Sequence, residues 1–445
     1  MKALLIVCFS CFVLFPASVR AEVDTIASRA QKAAAGLPRG CIVTAEQSGD
    51  GAPVFAIAGH NELAGVPPEK VIFEIGSISK VFTGMLLAQA VIEKKVTFET
   101  TLRELMGAGQ SFADANVAAI TLGQLATHTS GLPRIPDDLF PKGDTADPYA
   151  RYDRAHLDAY LAKVHTAHAP PLPYSYSNLG VGLLGDLLAR RYGKRWEELA
   201  VERVAKPLGL TDTCVQLSNE QKARLALPYA GDMPTKPWQF LALDGAGALH
   251  STAADMLRFT QALGRPGTTS LKDVIEMTEQ PRGDGSFGLC LPILKSNGQT
   301  SYWYAGGTGG FRSWISVKPA SNHIVVMLIN NSTLSPESVL TDAPAKASAQ
   351  TAAPALIVYV GEYDTGVKAG DTSIHYTFEA RGSDLWMQIT GQPAIQLERH
   401  PTMKDRFEFK PVNAEIQFRR EKGTVVSTTL FQDGLEINAR KLPAR

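Results

Sequence analysis

The stretch Phe73-Glu74-Ile75-Gly76-Ser77-Ile78-Ser79-Lys80 runs straight into Val81-Phe82-Thr83-Gly84-Met85-Leu86-Leu87-Ala88-Gln89-Ala90-Val91-Ile92-Glu93. Apolar residues at Val81, Met85, Ala88 and Ile92 recur at helical spacing, which predicts a helix over 81–93. Ser77 and Lys80, three apart, share one face if the turn before that helix is itself helical, and the ammonium then approaches the hydroxyl. A serine hydroxyl is a weak nucleophile until a base takes its proton. A buried lysine with a lowered pKa can do that or can hold a proton relay. At a helix start, Ser77 also sets its own backbone N–H where an oxyanion can be stabilised. Ser-x-x-Lys arises about once by chance in a chain of this length, so a capping serine with a solvated lysine is the competing reading.

Two later stretches carry chemistry of the same kind. Tyr174-Ser175-Tyr176-Ser177-Asn178-Leu179-Gly180 follows the turn-forming run Pro170-Pro171-Leu172-Pro173. Tyr176 and Asn178, two apart, point into one cleft if the segment is extended. The phenol is then a base or proton carrier, and the amide a hydrogen-bonding group for substrate. Tyr304-Ala305-Gly306-Gly307-Thr308-Gly309-Gly310-Phe311-Arg312 follows a strand pattern. Its glycine density suits a place where a substrate's backbone lies against the protein, or a plain hairpin turn.

The order Ser-x-x-Lys, Tyr-x-Asn, then a small-residue strand resembles the penicillin-recognising serine hydrolases. In particular the chain resembles the class C β-lactamase and DD-peptidase family, with its AmpH-like carboxypeptidase branch, over roughly residues 40–331. Ile120-Thr121-Leu122-Gly123-Gln124-Leu125-Ala126-Thr127-His128-Thr129-Ser130-Gly131-Leu132-Pro133, Lys206-Pro207-Leu208-Gly209-Leu210 and Gly245-Ala246-Gly247-Ala248-Leu249-His250-Ser251-Thr252-Ala253-Ala254-Asp255-Met256 carry the same likeness.

By that resemblance Ser77 is the acylated nucleophile, Lys80 and Tyr176 share the proton traffic, and Asn178 contacts the substrate's acyl side-chain amide. Tyr304 and Gly306 belong to the substrate-binding strand, and the Gly307 N–H joins that of Ser77 as oxyanion donor. One departure stands out. Where the family has Lys-Thr-Gly or His-x-Gly, this chain has Tyr304-Ala305-Gly306, which is neutral near pH 7 and lacks a hydroxyl at the middle position. If the chain turns about Thr308, Arg312 faces Tyr304 across a hairpin and offers a substrate carboxylate the missing cation. A surface arginine is the alternative.

Around this centre the sequence reads as an α/β domain, β-lactamase/transpeptidase-like, with strands at both ends (41–45 with 54–58, 301–317 and 323–329) completing one sheet. Helical signals dominate between Ile120 and Leu263 as an insertion, and a further helix is expected over 23–35. Ser251 or Thr252 is expected to cap a helix over 253–263, with Gly264 beyond it. Residues 341–355 are small and Pro-containing, a linker. From Leu356 to Arg445, alternating runs such as Leu385-Trp386-Met387-Gln388-Ile389 predict a small all-β barrel, which resembles the lipocalin-like barrel appended to some of these hydrolases. No catalytic constellation is visible in it. The domain limits read as 22–340, 341–355 and 356–445.

At the amino end, Lys2 and the apolar run Ala3 to Phe15, with Val19-Arg20-Ala21 before Glu22, predict a signal peptide over 1–21 and a periplasmic or secreted enzyme. No later apolar run reaches the roughly 20 residues of a spanning helix. Lys plus Arg and Asp plus Glu are both 44, so no basic excess is available to neutralise nucleic acid. Cys41, Cys214 and Cys290 are widely spaced without Cys-x-x-Cys or His-x-x-x-His patterns, which points away from zinc and to buried thiols or at most one disulfide, and the serine-hydrolase reading calls for neither metal nor organic cofactor.

His128 as the base of a Ser-His-acid triad lacks the Gly-x-Ser-x-Gly elbow, so it reads as a structural histidine in a turn. Trp303, Phe311 and Trp314 read as strand aromatics of the core or as a cleft lining. Asp137, Asp138, Asp144 and Asp147 read as a solvated loop. The functions expected are acyl-enzyme hydrolysis of β-lactams or D-Ala-terminated peptidoglycan peptides, a carboxylesterase or D-aminopeptidase on the same scaffold, or a non-catalytic binding protein.

Overall fold

The structure is a computed structural model of the chain; it describes residues 25–442 apart from residues 64, 140–146, 167, 341–355, 357 and short stretches of the barrel (370–371, 382–383, 390–394, 401–402, 410–413, 422, 433–434). The signal-like segment 1–21, the linker 341–355 and Asp144 lie outside the described residues.

The mixed α/β fold expected is present. A six-stranded antiparallel sheet runs in the order Val54–Gly59, Cys41–Gln47, His323–Ile329, Arg312–Lys318, Gln299–Gly307, Ile293–Ser296. The first and last strands of the domain meet at its centre, where Ile42 faces Ile329 and Gln47 faces Ile324. The run His323-Ile324-Val325-Val326-Met327-Leu328-Ile329 is apolar on both faces because both faces are covered. Ile324, Val326 and Leu328 enter the main core, while Val325, Met327 and Ile329 pack under the helices Ile26–Ala34 and Pro336–Leu340.

On the main-core side lies the helix Ser79–Ile92, preceded by a single 3₁₀ turn, Gly76–Ile78. Its residues from Ser79 to Ala90 are all buried, so it is apolar nearly all round, as befits a helix enclosed by sheet and insertion together. Ile92 falls outside that burial and is exposed. Thr252 is the cap of the helix Ala253–Gly264, receiving the Asp255 N–H. Gly264, expected beyond the end, is its last residue: a Cβ there would stand 2.6 Å from Val317 Cγ2 of the sheet. The first helix starts at Ile26 with Thr25 as its cap.

Residues 361–441 form a closed eight-stranded barrel in which each strand is antiparallel to the next, and Tyr363 and Asp364 of the first pair with Lys441 and Arg440 of the last. Alternation puts Tyr376 and Phe378, Leu385 and Met387, Ile416 and Phe418 inside. Aromatic rings fill the interior edge-to-face, with Phe378 and Phe418 centroids 4.8 Å apart. The barrel core is therefore side-chain packed, and it is separate from the cores flanking the sheet.

Candidate active site

Ile72–Glu74 pairs with His250–Thr252 as a short ladder, and the Ile75 N–H donates to the Leu249 carbonyl at 2.9 Å. The chain then turns at Gly76, whose φ of +50° and whose approach to the neighbouring strand both demand glycine. A Cβ there would lie 2.6 Å from the Gly307 nitrogen. Ser77 is thus held against the end of the Gln299–Gly307 strand at the N-terminal side of the buried helix.

Lys80 is completely buried, which disposes of the solvated reading. Its Nζ donates to Ser77 Oγ at 3.0 Å and to the Ala246 carbonyl at 2.6 Å. Burial drives its pKa below the usual lysine value. Tyr176 donates its phenolic O–H to Ser77 Oγ at 2.7 Å. Burial pushes that phenol up, but the adjacent Lys80 charge and hydrogen bonding with Lys80 and Ser77, with Arg134 nearby, outweigh it and bring the phenol below its ordinary value.

The Tyr176 loop is pinned along its length. Ser175 N–H donates to the His128 carbonyl at 2.8 Å, and Ser177 N–H donates to His128 Nδ1 at 3.1 Å. Ser177 Oγ donates to the Pro133 carbonyl and accepts the Gly180 N–H, capping the helix Asn178–Tyr192. His128 is buried, and desolvation followed by the Lys80 and Arg134 charges lowers its pKa to about 3. It is a neutral structural residue of a turn, with φ +58°, and it braces the tyrosine loop. The extended Tyr-x-Asn pattern expected is only half present: Asn178 is the first residue of the helix. Its Nδ2 donates to the Tyr149 hydroxyl at 3.3 Å, and its Oδ1 is buried with no hydrogen-bond partner among the described residues.

Ser77, Asn178 and Gly307 line one cleft together with Tyr149, Trp238, Phe240, Ala246 and Gly247. Tyr304 does not line it. It is buried beside Tyr176, and burial with the neighbouring phenol pushes its pKa well up, so it stays neutral. Gly306 packs on the Ser77 turn, where a Cβ would meet the Ile75 carbonyl at 2.1 Å.

Arg312 is not among the residues that line the cleft, although its Nη1 lies 2.9 Å from where a Cβ on the cleft residue Gly307 would stand, and the register expected for it is corrected. Gly307 faces Arg312, and Tyr304 faces Ile315. Ser313, Ile315 and Val317 turn toward the main core, so Arg312, Trp314 and Ser316 take the opposite face. Arg312 Nη1 donates to the Thr308 and Phe311 carbonyls, both at 2.9 Å. Phe311 is core, whereas Trp303 and Trp314 stack on each other with centroids 5.1 Å apart.

The aromatic wall of the cleft escapes sequence reasoning. Tyr149 and Phe240 stack at 4.5 Å, and Trp238 stands 5.6 Å from Tyr149. Two buried carboxylates hold this wall: Glu74 accepts the Trp238 N–H at 2.6 Å, and Asp147 accepts the Gln239 N–H at 2.8 Å. Asp147 is therefore no solvated loop residue. Glu74 also accepts from Thr308 Oγ1 at 2.6 Å, tying the wall to the glycine-rich turn, and burial raises its pKa to about 8. Glu74 lies inside the Ser-x-x-Lys stretch, but nothing in its spacing marks a partner more than 160 residues away.

A family model described as Beta-lactamase matches residues 48–350. The chain is 33% identical over 191 residues to the D-alanyl-D-alanine-carboxypeptidase/endopeptidase AmpH of Escherichia coli (strain K12), covering 43% of this chain and 48% of that protein. It thus spans about half the length of that relative. It is 27% identical over 282 residues to Penicillin-binding protein 4 of Amycolatopsis lactamdurans, covering 58% of this chain and 72% of that protein. The class C beta lactamase from Rhodobacter sphaeroides superposes with a TM-score of 0.55 at 22% identity, covering 66% of this chain and 90% of that one, a likeness of fold.

Proposed function

The chain belongs to the Beta-lactamase family, and from that membership we propose that it is a serine hydrolase working through an acyl-enzyme on Ser77. The observation that carries the reading is the convergence of Lys80 Nζ and the Tyr176 hydroxyl on Ser77 Oγ at 3.0 and 2.7 Å, beside a cleft that Gly307 also lines. Loss of one proton from the Lys80–Tyr176 pair leaves an acceptor for the Ser77 proton, a role that the lowered pKa of both groups favours. Ser77 Oγ then bonds to the carbonyl carbon while the oxygen's charge is received by the N–H groups of Ser77 and Gly307. The pair returns the proton to the departing group as its bond breaks. Water, deprotonated in the same way, releases the acyl group and restores Ser77.

The substrates proposed are β-lactams and D-Ala-terminated peptidoglycan peptides, the classes named by the relatives, with an exported location supported by the apolar run Ala3 to Phe15. A second reading, esterase or D-aminopeptidase, has its own observation: among the described residues that line the cleft none is cationic, and Tyr304 stands where the resemblance calls for a lysine or histidine. Among the described residues no helix is long and apolar enough to cross a membrane. Intact-mass measurement after incubation with a fluorescent penicillin tests the reading. We expect a single adduct on the Ser77 peptide that Ser77→Ala abolishes. An adduct elsewhere, or none with penicillin and aryl ester alike, refutes it.

A further inference from the structure

Among the described residues, Lys80, Arg312 and Arg134 are cations on the segments that build the site, and the first two already hold hydrogen bonds. Lys80 is committed to Ser77 and the Ala246 carbonyl. Arg312 is committed to the Thr308 and Phe311 carbonyls. The third is Arg134. Its carbonyl accepts the N–H groups of Asn178 at 2.8 Å and Leu179 at 3.2 Å, which locks its backbone to the start of the helix that carries Asn178. Its guanidinium lies over the Tyr176 ring, 4.9 Å from the centroid. Its charge is felt at Tyr149 as well as Tyr176, the two phenols on either side of Asn178. The side chain is half-buried, and among the described residues none of its five N–H donors has a hydrogen-bond or ion-pair partner. A guanidinium stacked on an aromatic face keeps its edge donors open, and that fork matches a carboxylate.

We propose that Arg134 is the anion-recognising residue of this cleft, and that it reads a carboxylate on the acyl half of the substrate; this rests on the serine-hydrolase reading above. Asn178 offers the buried, partnerless Oδ1 to an amide N–H of that half, and Arg134 stands beside it. At the strand end Gly307 has a neutral Tyr304 behind it, and the Arg312 Nη1 beside it is engaged by the Thr308 and Phe311 carbonyls. The substrate class assigned is an acyl-D-amino-acid donor with a negative charge on the acyl side.

The test uses two thioesters with the same neutral thiol, N-succinyl-D-alanyl and N-butyryl-D-alanyl, whose acyl caps are close in size and differ by one carboxylate. A charge-assisted contact predicts that kcat/KM favours the succinyl ester by roughly ten- to a hundredfold through KM. Arg134→Gln should erase that preference, and Arg134→Lys should keep part of it. Any slowing through Tyr176 affects both esters and cancels in the ratio. Equal kcat/KM in the native enzyme, or a preference that survives Arg134→Gln, overturns the proposal. Calorimetric binding of the matching D-alanine methylamides to Ser77→Ala protein reads the anion site without turnover. Tighter succinyl binding that Arg134→Gln removes supports the site even if Ser77 is never acylated, a result that would overturn only the hydrolase reading. Equal binding of the two amides overturns the site.

Discussion

At the scale of single residues, Ser77 Oγ is held by two donors, and each donor changes the other. Lys80 raises the acidity of Tyr176, while burial of both makes a single shared charge cheaper than two. Groups coupled in this way act as a unit. Lys80→Ala and Tyr176→Phe are each expected to slow acylation by several orders of magnitude, and the double variant to lose little more than the worse single. Single-turnover acylation measured on all three variants decides it, since multiplicative losses would mean two independent roles. The residues of this unit were legible as types at a spacing. What was not legible is that Lys80 is buried and shares the Ala246 carbonyl, because the acceptor comes from a segment 166 residues away.

Elements position the site by close approach of backbone, and glycine marks those places. Gly84, in the middle of the Ser79–Ile92 helix, faces the Leu289 carbonyl so closely that a Cβ would lie 2.1 Å from that oxygen. Helix propensity alone would favour alanine there by roughly 1 kcal/mol. Overpacking against a backbone that cannot yield works the other way, and Gly84→Ala is expected to destabilise the protein by about 1–3 kcal/mol. Denaturant unfolding reads the sign directly, and a gain in stability would mean that the helix floats free of the 289–290 segment. The hairpin after the strand Gln299–Gly307 shows the limit of sequence reasoning at this scale. Centring the turn on Thr308 pairs Tyr304 with Arg312, whereas the observed register pairs Tyr304 with Ile315. The shift is odd, so it also reverses the face that Arg312 takes relative to Tyr304. The turn extends through Phe311, whose ring is fully buried in the main core, and that burial sets the register.

For the molecule as a whole, the sheet domain and the barrel each possess their own apolar core. Two such cores joined through a small-residue stretch are expected to unfold as separate units. We propose the boundary near Leu340. A chain truncated after that residue retains the contacts of Val339 under the sheet and the Leu340 carbonyl that accepts from Arg29. It should stay folded, with Ser77 still open to acylation by penicillin. Insolubility of that shortened chain under all refolding conditions would place the boundary elsewhere. In the barrel domain, Arg420 and Tyr359 both donate to Asp405, the Arg420 contacts at 2.9 Å, so one carboxylate ties the segments at 359, 405 and 420 together.

The sequence by itself determined the α/β class, the strand pattern of the barrel, a cap at Ser251 or Thr252 and the two motifs that carry Ser77, Lys80, Tyr176 and Asn178. These are local matters: periodicity, capping chemistry and residue type act within a few positions of each other. Only the tertiary structure decided that Tyr149, Trp238 and Phe240 form a cleft wall braced by Glu74 and Asp147, that Arg312 Nη1 is engaged by the carbonyls of its own turn, and that Arg134 is left open beside Tyr176. Each of those facts depends on which distant segments share a face and which buried polar groups find partners. No local pattern encodes that, because such partnerships arise only when the core closes around them.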